Sequence, residues 1–502
     1  MNTMTLQQLV KGKFGRKTAY ADVERITEDN IVSVVGNCIG VFNSNKRIFQ
    51  YLWDYKNGDQ PIRYRTKLVR DDVNNPIVEN HAWEIVQFKN GQTYGEPIQC
   101  VSTSKDESIN EAIDRFNDYC KNAGKHSKDI SSGEWTSATG TGFKAVQRTP
   151  RGSEVPFRIT VPSPINTFVI YSSRTEEPLL AVQELKDEKG ERYLLCYSET
   201  REFQIKNSTL LSLGKNSDGV EMKSRPHVFG GIPIVEYPNN QDKISDIELV
   251  IDILDAINNM QSNRMDAIEQ FVQSWIKFVN CEVDEQSFIK MKMQGALVVK
   301  SNNGENKADV DIMTQELNQT ESQVAKDDLW NNALSISAIP NKQGNTGGDT
   351  QGAVELRNGW DFSKQRAKLK DPYIKDAEKR LNKVILNVIR QATDGNECKF
   401  GIMDYDVQIN HSPTDNMQVK AQVLQMLLMA GIHPLVAIRV CGLWGDAEKV
   451  YLMSKPYLDV KYKTLEEALD AEIRQQNLQG QVQVAENLVK EFNNNQNKAT
   501  NE

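Results

Sequence analysis

The chain has 502 residues, 39% of them hydrophobic and 25% charged, and a formal net charge of −8. That composition belongs to a folded protein of several domains rather than a disordered one. The acidity makes the chain a poor candidate for an ordinary tight DNA binder, whose affinity comes from basic side chains that neutralise phosphates, but it leaves open a protein past which DNA slides.

The first 130 residues read as mainly helical, with Ile48, Phe49, Leu52 and Trp53, then Ile109, Ile113, Phe116 and Cys120, at helical spacing. Within that stretch a helix ends at Gly58 and an extended segment follows. A polar turn at Asn74-Asn75-Pro76 leads to a helix with Ala82, Ile85 and Val86 on one face. From Val155 to Ile234 the pattern shortens to β-like runs at Phe157–Val161, Phe168–Tyr171, Leu180–Leu185, Arg192–Tyr197 and Glu202–Ile205. Turn signals such as Lys189-Gly190 separate them, which predicts an antiparallel meander.

Ser245-Asp-Ile-Glu248 has the spacing of a capping box and predicts a helix reaching Lys277, roughly 50 Å long. A compact segment from Cys281 to Leu317 follows, with a strand at Ala296–Lys300 and a turn at Asn302-Asn-Gly304. A second capping box, Thr320-Glu-Ser-Gln323, opens a helix to Ala338, which Pro340 stops. The small-residue run Asn341-Lys-Gln-Gly-Asn-Thr-Gly-Gly-Asp349 predicts a loop. A long helical pattern begins near Thr350, with Ile374, Ala377, Leu381, Val384 and Val388 in register, a kink expected at Pro372 and an end at Asp394-Gly395. A short β segment at Tyr405–Ile409 precedes helices over 415–430, capped by Gly431, then 434–441 and 445–454. A last helix opens at Thr464-Leu-Glu-Glu467, and an Asn/Gln-rich tail follows Phe492.

No catalytic constellation emerges. Gly12-Lys13, Gly124-Lys125 and Gly214-Lys215 are followed by Phe, His and Asn, so none places a Walker hydroxyl on Mg²⁺. Gly140-Thr-Gly-Phe-Lys144 lacks the third glycine of a phosphate loop and reads as a small-residue packing site. HExxH and GxSxG are absent. His81, His126, His227, His411 and His433 have no ligand spacing, and His433 before Pro434 fits a helix N-cap. No catalytic, cofactor or metal residue is therefore assigned, and no cofactor is expected. The longest apolar stretch, 31–42, is interrupted by Ser33 and Asn37 and falls short of the roughly 18 residues that span a bilayer, so no membrane is expected. The first residues lack the regions of a signal peptide. Seven dispersed cysteines without a CxxC suggest reduced thiols made in a cytosol.

Charge is unevenly placed. Residues 241–278 carry seven acids against three bases, whereas 357–390 carry ten bases against four acids. Two solvated faces account for this; so do helices that pair across subunit contacts, or an acidic helix that lines a channel and keeps phosphates from sticking.

The run Tyr55-Lys-Asn-Gly-Asp-Gln-Pro-Ile-Arg-Tyr-Arg65, continued by Asp71-Asp-Val-Asn-Asn-Pro-Ile-Val-Glu-Asn-His-Ala-Trp-Glu-Ile-Val86 and Tyr94-Gly-Glu-Pro-Ile98, resembles the opening of the portal proteins of tailed bacteriophages, of the siphophage type. His227-Val-Phe-Gly-Gly-Ile-Pro-Ile-Val-Glu-Tyr-Pro-Asn-Asn240 resembles that family's junction of wing and stem. Asn410-His-Ser-Pro-Thr-Asp415 with Leu427-Leu-Met-Ala-Gly431 is similar to its entry into the crown. The order of elements agrees too, over residues 45–460. The resemblance implies an α+β, mainly helical portal fold with an α/β wing, a long-helix stem, a small α/β clip and a helical crown, assembled as a ring. By it, residues 1–244 form the wing, 245–278 and 318–340 the stem helices, and 279–317 the clip. Residues 341–349 form the tunnel loop, 350–414 a kinked long helix returning to the wing, 415–492 the crown and 493–502 a disordered tail.

The implied function is a conduit, not an enzyme. A ring of twelve subunits sits at one capsid vertex of the virion, made in the host bacterial cytoplasm, and double-stranded DNA enters and leaves through it. The implied partners are the terminase large subunit, which hydrolyses ATP, a head-completion or adaptor protein, and the major capsid and scaffolding proteins. The expected DNA contacts are Asn341, Lys342, Gln343 and Asn345 in the tunnel loop, and the expected channel-lining acids are Asp246, Asp252, Asp255, Asp266 and Glu269. Another structural head protein and a packaging ATPase or nuclease are the alternatives. The two long helices around a clip-sized insert argue against the first, and the missing Walker loop argues against the second.

Overall fold

The computed structural model describes Leu6 and residues 13–68, 72–104, 106–150, 152–215, 219, 221–272, 275–279, 309–313, 319–341, 359–411, 417–444, 447 and 450–458. The chain divides into two compact units, residues 1–413 and 414–502.

The first unit opens with strand β1 (Ala19–Ala21) and helix α1 (Ile31–Lys56), then α2 (His81–Tyr94), β2 (Gln99–Ser102), α3 (Glu107–Asn122) and α4 (Lys125–Thr139). Strands β3 (Thr141–Arg148), β4 (Phe157–Thr160), β5 (Thr167–Ser172), β6 (Pro178–Lys186), β7 (Arg192–Tyr197), β8 (Arg201–Lys206), β9 (Thr209–Leu210), β10 (Arg225–Pro226) and β11 (Ile234–Pro238) follow. After them come α5 (Ile251–Val272), β12 (Trp275–Val279), β13 (Asp309–Met313), α6 (Gln319–Ile336), α7 (Trp360–Lys368), α8 (Asp371–Ala392) and β14 (Tyr405–Gln408).

Strands β5 to β8 form the antiparallel meander that the alternating runs predict, with β1 added in parallel to β5 and β9 and β10 on β8. The first β-run departs from that expectation. Strand β4 pairs with β3, and β3 with β11, in a separate sheet. The β3–β4 hairpin is local, but β11, which joins it on the other edge of β3, lies far along the chain, so no local pattern announces this sheet.

Four buried clusters hold the unit together, the smallest of them Phe143, Ala145, Val169, Ala181 and Ile234 between the two sheets. The first half of α1 lays Ile31, Val34, Val35, Cys38 and Phe42 on Ile170, Leu180, Val182, Cys196 and Phe203 of the meander. Phe42 stacks on Phe168 at 4.5 Å. The second half of α1 gives Tyr51, Leu52 and Tyr55 to a helical core with Ala82, Ile85 and Val86 of α2 and with residues of α5 and α6. The third cluster gathers the apolar stripe of α8 (Ala377, Leu381, Val384, Ile385, Val388, Ile389), Ile113, Phe116 and Cys120 of α3, and the β3–β4–β11 sheet. Strand β14 closes it by pairing antiparallel with β2, more than 300 residues earlier.

Three expectations about element ends are corrected. The helix expected from Ser245 starts at Ile251, and residues 246–250 are turns. The capping box does form, with Ser245 N–H donating to Glu248 (3.1 Å) and Ser245 Oγ accepting from Ile247 N–H (3.2 Å), but the Ser245 hydroxyl also bonds the carbonyls at the end of α4, and Glu248 also binds Arg16. That tertiary duty holds the first turn out of the helix. The same helix stops at Val272, and Trp-Ile-Lys-Phe-Val, rich in aromatic and β-branched residues, becomes strand β12 against β13. The long pattern around Pro372 is two helices, not one kinked helix. Proline occupies the first turn of α8, where its missing N–H costs nothing. The expected strand Ala296–Lys300, the turn at Asn302-Asn-Gly304 and the helix from Thr464 lie outside the described residues.

Gly140 carries φ +91°, and a Cβ there would meet the Lys243 carbonyl oxygen at 2.0 Å, so the GTGFK fragment is a close-packed turn. In the second unit, α9 (Met417–Met429) and α10 (Pro434–Cys441) are joined through Gly431 at φ +76°. His433 caps α10, accepting from Leu435 N–H at 3.2 Å. Helical residues recur at 447 and 450–458. No helix among the described residues is long and apolar enough to cross a membrane.

Candidate functional site: the acidic helix hairpin and its clasp

Helices α5 and α6 pack side by side. Arg264 donates to Gln323 (2.8 Å) and Lys326 to Gln261 (3.3 Å), so the two run antiparallel. Their shared seam buries Leu254, Ile257, Ala333 and Leu334. The exposed stripe of α6 is polar and acidic.

The N-terminal run that carries the family resemblance clasps α5. Residues 75–79 lie extended along the helix and spend alternate N–H groups on it. Glu79 N donates to Asn258 Oδ1 (2.8 Å), Ile77 N to Ser262 Oγ (2.9 Å) and Asn75 N to Asp266 Oδ1 (2.7 Å). The registers match because two residues of extended chain advance about 6.6 Å and four residues of helix about 6.0 Å. Gln60, Arg65 and Lys67 bind the same polar stripe through Asn258, Asn263 and Asp266. Glu79 reaches Lys326 of α6, and the His81 ring stacks on Trp330 at 4.0 Å. Asn80 ties the clasp to α1 and α2: its side chain accepts from Trp83 N–H at the start of α2 and donates to the Lys56 carbonyl (2.8 Å).

The five acids expected on a channel wall have different fates in the protomer. Asp246, in the turn before α5, is paired with Lys370 through both oxygens at 2.8 Å and accepts from Ser137 at 2.7 Å. Burial raises its carboxyl, but Lys370 and Lys89 outweigh burial and hold it below the usual range. Asp266 is buried under Arg65, Lys67 and Asn75. Glu269 accepts from Asn75, and Asp255 from the Tyr55 hydroxyl at 2.8 Å. Burial pushes the Asp255 carboxyl up to about 6. Asp252 is exposed.

Behind the hairpin lies a second polar structure with no local sequence signal. Lys125 and Asp129 of α4, Lys144 of β3 and Glu378 of α8 form a closed ring of two cations and two anions, almost wholly buried. Lys125 contacts Asp129 at 2.7 Å and Glu378 at 2.9 Å, and Lys144 contacts both acids. Tyr237 donates to Glu378 (3.1 Å), and its ring lies 4.1 Å from the Lys144 ammonium. Burial opposes ionisation of Glu378, but the two lysines prevail and hold it near 2. The ring fastens α4, one face of the β3–β11 pair and α8 into one block.

Of the expected loop contacts, Asn341 is described and donates to Asn331 of α6 at 3.0 Å. Lys342, Gln343 and Asn345 lie outside the described residues. The end of α6 is anchored by Lys89, whose buried ammonium donates to the Ala338 carbonyl (3.5 Å). Burial lowers Lys89 to about 8; Asp246 opposes the shift, and Lys370 and Arg366 add to it. Among the described residues no group of His, Cys, Asp and Glu is placed to hold a metal ion.

Residues 37–438 match the family model described as "Phage portal protein, SPP1 Gp6-like". The portal protein of Bacillus phage SPP1 is 23% identical over 313 residues, which cover 57% of this chain and 58% of that relative, so the chain matches somewhat over half of the relative's length. A solved structure described as "Neck of empty GTA particle computed with C6 symmetry" aligns with a TM-score of 0.44 at 10% identity, over 73% of this chain and 90% of that one. With the family model covering most of its length, this chain belongs to the SPP1 Gp6-like phage portal protein family.

Proposed function

We propose that this chain is the subunit of a portal ring, twelve copies around one capsid vertex, through which the terminase packages double-stranded DNA and through which the genome later leaves. Head-completion and tail proteins attach to it, and major capsid and scaffolding proteins surround it in the virion. It is a structural conduit; ATP hydrolysis belongs to the terminase. The observation that carries this reading is the family match across residues 37–438.

In this reading α5 and α6 are the stem, the segment with β12 and β13 belongs to the clip, and residues 415–492 are the crown. Asn341, Lys342, Gln343 and Asn345 meet DNA from the tunnel loop. The acidic face of α5 fronts the channel, with Asp252, Asp255 and Glu269 the acids nearest to water and Asp246 and Asp266 anchoring the helix behind them. A wall of like charge lets DNA pass without holding it. In a host where the phage copy of this gene is silenced, heads are expected to form without packaged DNA. DNA-filled heads under that condition would overturn the proposal.

A further inference from the structure

Helix α7 is fixed on one side only. Ser363 and Ala367 are buried: Gln92 of α2 donates to Ser363 Oγ at 3.1 Å, and Trp360 lies against Phe88. The remaining surface carries Lys364, Arg366 and Lys368, none of them in an ion pair among the described residues, against the single exposed acid Asp361, around the exposed apolar side chains Phe362 (52%) and Leu369 (64%). Helix α6 presents the opposite chemistry. Its outer stripe carries Asp327 and Asp328, neither in an ion pair among the described residues, beside exposed Val324 (57%) and Ile336 (42%). One face is basic with an apolar centre and the other acidic with an apolar centre, and the two do not meet within the protomer.

We propose that these two faces are the halves of one subunit contact, in which the Lys364–Arg366–Lys368 face of one copy seats on the Asp327–Asp328 stripe of the next. The occupant of each face is a second copy of this chain because the chain itself supplies the complement. Two different, mutually complementary surfaces make a head-to-tail contact, which closes into a ring when the rotation permits. The charges set partner, register and encounter rate, while the apolar side chains supply buried area. The inference rests on the ring reading above and assigns the residues that hold neighbours together.

Charge reversal tests it. Lys364→Glu with Arg366→Glu and Lys368→Glu in one variant, and Asp327→Lys with Asp328→Lys in another, are each expected to raise the concentration for half-assembly by about tenfold or more, since like charges facing each other cost several kcal/mol. An equimolar mixture of the two variants, or one chain carrying both sets, is expected to recover assembly because the pairing is then reversed but intact. Should either variant fold poorly, Asp328→Cys with Arg366→Cys in one chain is read by oxidation, where a ladder of covalent multimers is expected. Wild-type protein that stays monomeric would sink the ring reading itself. Rings that form normally with reversed charge, or that give no ladder, would overturn this contact alone. Intact rings that lose DNA retention would assign the basic face to nucleic acid instead.

Discussion

Lys144 and Glu378 are 234 residues apart in sequence and touch inside the protein. A buried pair of this kind is costly to break because removing one partner strands the other charge, typically by about 3–5 kcal/mol. Lys144→Met is therefore expected to destabilise the first unit by that order, measured by chemical denaturation. The Glu378 carboxyl is depressed in the folded chain from an ordinary 4.5 to about 2. A depressed acid contributes stability above its unfolded pKa and loses it as pH falls through the folded value. Acid unfolding is thus expected to steepen between pH 4.5 and 2, and Glu378→Gln to flatten that limb; an unchanged profile would contradict the charge ring. Lys89 behaves in the opposite sense. Its ammonium is destabilised by burial, so the folded state gains stability as pH rises from about 8 toward 10.5. Lys89→Met is expected to raise stability at pH 7 by about 1–3 kcal/mol and to remove that rise. Neither site was legible beforehand. Lys125 and Asp129 look like a surface i,i+4 pair, and only the fold adds the other two members.

At the scale of elements, the clasp around α5 makes a distinct prediction. Asp266→Ala removes the acceptor of Arg65, Lys67 and Asn75 while leaving the buried seam with α6 intact. Protease cleavage within 60–78 is expected to accelerate several-fold, with a stability loss of about 2–4 kcal/mol; protection equal to wild type would refute the clasp. Gly133→Ala probes the crossing of α2 and α4. Helix propensity alone favours alanine by about 1 kcal/mol, yet a Cβ there would meet the Tyr94 ring at 2.3 Å, so net destabilisation of about 1–3 kcal/mol is expected. Most elements were legible. The 3–4 spacing of α8 and the alternating runs of β5 to β8 appear where the patterns place them, and His433 caps α10 as its neighbour Pro434 suggests. Those features are local. The missed features have distant causes: Glu248 held by Arg16 delays α5, the β3–β4 hairpin pairs with the distant β11 instead of the meander, and β2 waits for β14. The polar stripe Asn258, Ser262, Asp266 is the signal that a closer reading had available, since four-residue spacing of polar groups on a long helix marks a second face with a partner.

For the whole molecule, the N-terminal run with family resemblance turns out to be structural, which explains why no chemistry was found in it. It positions the hairpin proposed to form the stem. The channel acids read from sequence divide into two kinds, with Asp246 and Asp266 spent inside the protomer and Asp252 left at the surface. If the remaining acidic face fronts the channel, the intact assembly is expected to bind duplex DNA weakly; nanomolar, salt-sensitive binding would contradict this because it needs many phosphate contacts with Lys and Arg. In the proposed assembly, copies of this chain close into a ring around a hole. Electron microscopy of the purified protein, with its mass measured on the same sample, tests that most directly. Rings with a central hole and a mass that is a whole multiple of 56.9 kDa are expected. A monodisperse 56.9 kDa species at micromolar concentration in several buffers would contradict it.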